Sequence, residues 1–408
     1  MTGLQRNFWL MLTGRSVSKL GDTFHFLALA LMIYAKTGSA LSVGQVMVAS
    51  YLPMLLLGPF LGVWIDRLDK RRLAIVCELI RAGVVLSIPF LPHVYWIYTL
   101  TFVVAVVGFA SSSSQSALIA QLFPKQELLG YNAKIQTSMQ VMAIAGPILA
   151  GMVIGFWSYT AAFVVDALTF LFSATTLSLL AVAAKSATAR GAGAKKKQFW
   201  AEFSAGAHYM WKLPRVLNAT AVMFTAMIVS GMFNVLLVVF SKDIIGVTDT
   251  QFGWLEAGIG LGLALGAVTL TQVKKVDLLL IVRFGILVDA LLIALLGTTE
   301  SFYTEWLVLV GTGMFSVMAM IASATLIQTE AEQPYIGRVL GFYNTVFMAG
   351  TVGSMALAGV VEAYFSVREI FVYGGLLTAG ATLLLSLKRL RKTNVSTGQS
   401  RQSGQAEA

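Results

Sequence analysis

The amino-acid sequence predicts an all-α membrane protein, with twelve transmembrane helices arranged as two six-helix bundles. Three observations point there. Of the 408 residues, 57% are hydrophobic and 12% charged, where a soluble domain carries about 25% charged residues. The apolar residues fall in runs long enough to cross a hydrocarbon core of about 30 Å, which takes roughly 20 residues of helix. The basic residues gather in alternate connections, the pattern of the positive-inside rule.

Twelve such runs lie near residues 8–34, 43–65, 73–91, 94–122, 132–156, 159–184, 216–240, 251–273, 277–297, 302–327, 337–362 and 367–388. The links at Pro92-His93 and Trp157-Ser158 are very short, so their flanking helices run antiparallel. An even number of spans puts both termini on one side. In this register only Lys36, Lys242 and Arg368 fall on the other side, against 26 of the 29 Lys and Arg on the side of the termini. That asymmetry predicts a multi-pass protein of a cell membrane, the inner membrane of a bacterium, with both termini cytoplasmic. The net charge of +10 is then membrane topology, and no nucleic-acid partner is expected. No short apolar region with a small-residue cleavage site opens the chain, so the first run is expected to remain as a helix.

The chemistry-bearing residues exclude several classes. The single cysteine, Cys77, allows no internal disulfide, and His25, His93 and His208 are too far apart for a zinc motif. No P-loop, G-x-S-x-G or H-E-x-x-H pattern is present. No enzyme activity, metal or cofactor is expected.

A long connection divides the chain: residues 1–184 form an N-terminal six-helix bundle, 185–214 a cytoplasmic linker, 215–390 a C-terminal bundle and 391–408 a polar cytoplasmic tail expected to be disordered. The linker opens with small and basic residues from Lys185 to Lys197. Phe199, Phe203, Met210 and Trp211 then recur at helical spacing. This predicts an amphipathic helix, lying either in the membrane interface or on the protein's own cytoplasmic face. A weak internal repeat relates the halves. Gly146-Pro-Ile-Leu-Ala-Gly151 corresponds to Ser354-Met-Ala-Leu-Ala-Gly359, and Gly58-x-x-x-Gly62 to Gly262-x-x-x-Gly266.

The sharpest motif joins the second and third spans: Gly62-Val-Trp-Ile-Asp66-Arg67-Leu-Asp69-Lys70-Arg71-Arg72. It resembles the signature loop of major facilitator transporters, G-x-x-x-D-R-x-G-x-R-R, at Gly62, Asp66, Arg67, Arg71 and Arg72. Asp69 stands where that signature has glycine. A plain topology loop accounts for the basic residues but not for Asp66 among them. The physics suits a cytoplasmic gate: Gly62 permits close helix approach, and Asp66 suits a helix N-terminus. Gly146, Pro147 and Gly151 resemble the fifth-helix motif of the antiporters in that family, with Ala150 for a glycine. An ordinary Gly/Pro kink is the competing reading.

Across almost the whole chain the pattern is similar to the macrolide-efflux and siderophore-export branch, close to the drug:proton antiporters. Phe163-Val-Val-Asp166-Ala-Leu-Thr-Phe170 and Tyr335-Ile-Gly337-Arg338-Val-Leu-Gly341 carry that likeness. The resemblance implies a monomeric, proton-coupled exporter of amphipathic drug-like or siderophore-like compounds, acting by alternating access, with multidrug efflux and antibiotic resistance as consequences. It also implies an arginine in the fourth span, where this chain has Ala105. A lipid or lysolipid transporter of the same fold is the first rival and would need a lateral opening between helices. A non-transporting receptor or enzyme is the second. Membrane lipid, a small amphipathic substrate and a proton or other ion are the expected partners.

Ionisable residues inside spans are costly and point to function. Asp22 leads. Arg15, Lys19 and Asp22 share one helical face. Asp166 and Glu256 are the other coupling candidates; Asp289 and the Glu78–Arg81 pair suit structural roles. Phe26, Gln115, Asn234, Met318, Asn344 and Phe347 are expected to line a substrate cavity, Gln115 closing the polar run Ser111–Ser114. Each could equally be a packing residue.

Overall fold

In a bilayer every backbone N–H and C=O must be satisfied within the protein, and a helix does this inside one segment. The computed structural model describes residues 3–66, 68–124, 126–181, 195–273 and 276–403, with side chains except at 58–64, 66, 129, 195–202 and 388–403. Among the described residues there are thirteen α-helices and no strand: α1 (Gly3–Thr37), α2 (Ala40–Asp66), α3 (Lys70–Ser87), α4 (Val94–Leu122), α5 (Leu128–Phe156), α6 (Tyr159–Ser178), α7 (Lys195–Met210), α8 (Pro214–Val239), α9 (Asp249–Gln272), α10 (Leu278–Leu296), α11 (Phe302–Glu330), α12 (Gln333–Glu362) and α13 (Val367–Ser403). Twelve are long and apolar enough to span a membrane; α7 is the exception.

Local chemistry sets the helix ends. Ser158 accepts a hydrogen bond from the Ala161 amide at 3.1 Å and Asp277 from that of Leu279 at 3.1 Å. Thr248 and Gln251 form a reciprocal capping box at the start of α9. α1 ends where Gly38 takes φ 59°, a left-handed conformation that glycine adopts without strain. α6 stops at Ser178, short of the 184 expected. Arg71 explains this: its side chain donates to the Leu177 carbonyl at 3.0 Å and also to the Ser178 carbonyl, satisfying carbonyls a longer helix would have used. α13 runs on to Ser403, into the segment read from sequence as a tail. No proline interrupts residues 391–403.

The linker helix α7 packs on the start of α12. The Tyr209 and Tyr335 rings stack at 4.1 Å, and Phe203 meets Phe342 at 5.1 Å. The Tyr209 hydroxyl accepts from the Glu332 amide at 3.4 Å. Trp211 faces outward, 71% exposed.

Each half is a bundle of six spans. In the first, α1 lies on α5 and α6, and α3 on α4 and α6; in the second, α11 lies on α9 and α10, and α8 on α12 and α13. The halves meet chiefly through two crossings, α5 with α9 and α2 with α12. These crossings are equivalent under the internal repeat, and glycines make both. A Cβ added to Gly151 would lie 2.9 Å from Gly253 Cα, and one on Gly44 would lie 2.8 Å from the Met355 carbonyl. Gly359 presses on the Leu41 backbone, and the Thr250 hydroxyl donates to the Gly151 carbonyl at 3.2 Å. All these residues sit at the span ends remote from the chain termini, the far side. Two side-chain pairs also join the halves there: Tyr34 donates to Asp243, and Tyr159 to Asp249 at 3.3 Å. On the near side, Gly130 and Gly341 have open space where a side chain would go.

Replacing Gly151 by valine should strain the α5–α9 crossing by about 1–3 kcal/mol. A cysteine at Ile259 should then react faster with an impermeant maleimide applied from the far side. An unchanged rate would show that the crossing does not hold the far side shut.

Candidate functional site

Beneath the seam lies a cavity of about 600 Å³ lined by α1, α2, α3, α4 and α5 of the first half and α9 of the second. Its apolar wall includes Phe26, Leu27, Val104, Ile259 and Leu263, and its polar groups include Lys19, Asp22, His25, Arg81 and Glu256. A charge at this depth is expensive unless it is paired or hydrated, and the pairing is specific. Arg81 of α3 forms an ion pair with Asp22 of α1. Its guanidinium also lies 3.8 Å from the Glu78 carboxylate and 3.8 Å above the Phe170 ring. Gly108 of α4 lies against it, a Cβ there falling 3.4 Å from Arg81 Nε, at van der Waals contact.

Sequence reasoning paired Glu78 with Arg81, and the structure holds that pair; the partner it did not anticipate is Asp22. Arg81 lies at the centre of the N-terminal bundle and reaches a different helix. It borders the same cavity as Ala105, so the third span supplies an arginine where the resemblance expected one from the fourth. The usable signal was Asp22, an acid in the first span that calls for a cation partner.

The polar run on α4 serves Glu78, which is fully buried. Ser111 donates to its carboxylate at 2.6 Å and the Gln115 amide at 3.1 Å, with Ser18 of α1 at 3.5 Å. Charge-assisted hydrogen bonds of this kind offset part of the desolvation of a buried carboxylate. Gln115 thus lines a side pocket of about 130 Å³, shared with Arg15, Lys19 and Asp22, rather than the main cavity.

Asp22, Phe26 and Glu256 come together on one cavity, the last from the opposite half. Asp166 sits behind the wall, fully buried, 3.3 Å from Nδ1 of the cavity-lining His25. The other expected lining residues lie elsewhere. The Asn234 amide donates to the Ser230 carbonyl at 2.7 Å on its own helix. Met318 is buried in the C-terminal bundle's core. Asn344 is exposed, and Phe347 packs by Tyr343. Asp289 is buried within α10. Reasoning from sequence also passed over His25 and Tyr51, both on the cavity; His25 follows Asp22 at i+3, a spacing that shares its face.

In the fifth-helix motif, Gly146 packs on Thr23 of α1, Pro147 borders the cavity, and Gly151 forms the seam. In the signature loop, Gly62 and Asp66 have no described side chain and Arg67 lies outside the described residues. Asp69, in the glycine position, caps α3 by accepting from the Arg72 amide at 2.8 Å. Its φ of −63° needs no glycine.

Known proteins bear out the fold. The family model described as Major Facilitator Superfamily matches residues 11–355. The MFS-type transporter YfiS of Bacillus subtilis is 23% identical over 91% of this chain and 91% of its own. Macrolide efflux protein A of Streptococcus pyogenes is 20% identical over 91% of this chain and 93% of its own. The crystal structure of a bacterial homolog to the human lysosomal transporter Spinster superposes with a TM-score of 0.68 at 12% identity, over 95% of each chain.

Arg81→Ala would leave Asp22 and the buried Glu78 without their cation, at a cost of about 3–5 kcal/mol. Asp69→Ala removes one helix cap, at a cost of about 1 kcal/mol. Thermal unfolding in detergent should therefore show a much larger fall in Tm for Arg81→Ala. Equal falls would contradict the pairing.

Proposed function

The chain belongs to the Major Facilitator Superfamily and is a membrane transporter, not an enzyme; from that premise we propose that it exports small amphipathic compounds, driven by inward proton movement. The observation that carries this reading is the cavity between the halves, with acids from both, Asp22 and Glu256, set among apolar side chains. Its volume of about 600 Å³ falls in the range of drug-sized sites. Macrolide efflux protein A, similar over nine-tenths of the chain, supports a substrate of drug-like size. Siderophore-like compounds fit the same description.

The mechanism is alternating access by rocking of one half against the other. The far-side seam of Gly151, Gly253, Gly44 and Gly359 is the closed gate of this state, and the signature loop from Gly62 to Arg72 is the gate that closes in the other. The 26-to-3 division of Lys and Arg supports cytoplasmic termini, so the cavity here serves the cytoplasm and the substrate is loaded from inside. Asp22 is the first acid in the coupling path. It meets the cavity and holds Arg81, so a change in its charge alters the partner available to a buried guanidinium. The lipid-transport reading asks for a lateral opening. An apolar cleft of about 380 Å³ does lie between α8, α12 and α13, but it shares no lining residue with the central cavity.

Two experiments test this reading. In proteoliposomes with an imposed pH gradient, wild type should accumulate erythromycin, and Asp22→Asn should bring the steady-state accumulation ratio down to unity. Full accumulation by that variant would remove Asp22 from the coupling path; a wild-type ratio indifferent to the gradient would end the antiport reading. Cysteines introduced at Ser186 and Ser400 should be labelled only from the cytoplasmic side, and labelling of either from outside intact cells would reverse the orientation.

A further inference from the structure

Asp166, like Glu78, has no solvent exposure. It is held there by a close crossing. A Cβ on Gly21 of α1 would lie 2.5 Å from Asp166 Oδ1, so only glycine lets α1 pass over this carboxylate. Its surroundings offer it almost nothing. The nearest hydroxyl, Thr169, donates to the Asp166 backbone carbonyl at 2.7 Å and is spent. His25 Nδ1 approaches to 3.3 Å, the one polar side chain at the carboxylate among the described residues, and the contact falls short of a well-formed hydrogen bond. Such an arrangement is costly in any protonation state that leaves a net charge. With a neutral imidazole and an ionised carboxylate the pair carries one negative charge. One added proton, on either partner, makes it neutral overall.

The pair also has a route to water. Asp166 itself is sealed off, but His25 borders the central cavity and stands edge-on to Phe163 at 5.7 Å. An imidazole has two nitrogens, and with Nδ1 turned to Asp166 its other nitrogen is the one left to exchange protons. The charged and titratable groups around the pair are few. Asp22 on α1 and Arg81 on α3 act on Asp166 electrostatically. Lys19 on α1, Tyr51 on α2 and Glu256 on α9 share the cavity, and α5 presents the neutral Gln140 there. Arg81 lies over Phe170, one turn along α6 from Asp166.

Resting on the proton-coupling reading, we infer that the His25–Asp166 pair is the site where the driving proton is held, and that Arg81 sets whether it is held. While Asp22 binds Arg81, Asp166 has only His25 and keeps a proton. When substrate enters the cytoplasm-facing cavity and Arg81 turns from Asp22 toward Asp166, the guanidinium replaces the proton as the neutralising charge and His25 passes the proton to the cytoplasm. Once the halves have rocked and the substrate has left, Arg81 returns to Asp22 and the pair takes a proton from the far side. One proton bound from one side is one proton released to the other, with no net change in the protein. Loss of Asp22 would leave Arg81 fixed on Asp166, so Asp22→Asn and loss of the pair uncouple for different reasons.

The test uses the full chain, with wild type, His25→Gln and Asp166→Asn purified and checked for a single gel-filtration peak. The first readout is proton release on addition of erythromycin to detergent-solubilised protein in weak buffer, followed with a pH indicator. The second is the steady-state accumulation ratio of erythromycin in liposomes under a pH gradient, which is independent of turnover rate. Wild type should release protons and accumulate the probe. Both variants should release none, and their ratio should fall to unity. Release and accumulation by either variant at wild-type level would overturn the inference while leaving proton coupling intact. A wild type that moves erythromycin yet neither releases protons nor responds to the gradient would overturn the coupling reading, and the pair's role with it. If Asp166→Asn fails to fold, His25→Gln, on the cavity wall, decides alone.

Discussion

The close approach of backbone to backbone at Gly151 and Gly253 is the constraint on which the rest of this structure depends. Lipid gives helices no hydrophobic reason to associate, so packing between small residues must supply it. At Gly151 and at its symmetry equivalent, Gly359, the two halves touch without intervening side chains. Both crossings lie on one side of the membrane. That placement leaves a cavity below them, and it lets the two halves behave as bodies that turn about a narrow contact. Larger residues there would spread the halves and remove the distinction between a closed side and an open one.

Electrostatics fills the space that geometry leaves. A mid-membrane charge costs several kcal/mol unless matched, and the N-terminal bundle matches its charges in a chain. Glu78 is satisfied by Ser111, Gln115 and Ser18. Arg81 is held by Asp22 and rests on Phe170. Asp166 is left with His25. The first of these is saturated and suits a fixed structural role. The last is undersatisfied, and a group in that condition responds to small movements of its neighbours. The far-side contacts are of another kind: Lys242 and Asp249 pair at 2.5 Å within the second half, and Tyr159 reaches that same aspartate across the seam.

Much of the fold was legible because the bilayer makes span length and loop charge explicit. All twelve spans lie where apolar runs predict them, and the long connection carries the helix that Phe203 and Met210 mark. Rotation of each span about its axis was far less legible. Asn234, Met318, Asn344 and Phe347 were chosen as polar or large residues on helices of the second half. In a span apolar on every face, residue type does not say which side meets the cavity. Glu256 stood out in the sequence because an acid in a span has few tolerable surroundings, and it borders the cavity. The pairing of Arg81 with Glu78 was legible at three residues, but its second partner, Asp22, is 59 residues away and was not. Asp69 looked like a defect in a motif, yet a carboxylate that caps a helix does the work of a turn by other means.

The central claim is that two rigid halves exchange which side of their interface is closed. It is tested most directly by distances between paired spin labels. One pair, at Phe156 and Thr248, reports the far ends of α5 and α9; the other, at Gln126 and Gln272, reports their near ends. In liposomes, imposing a pH gradient with erythromycin present should lengthen the first distance and shorten the second within the same population. If both distances stay fixed while the probe is transported, or lengthen together, the halves do not rock about this seam and the account fails.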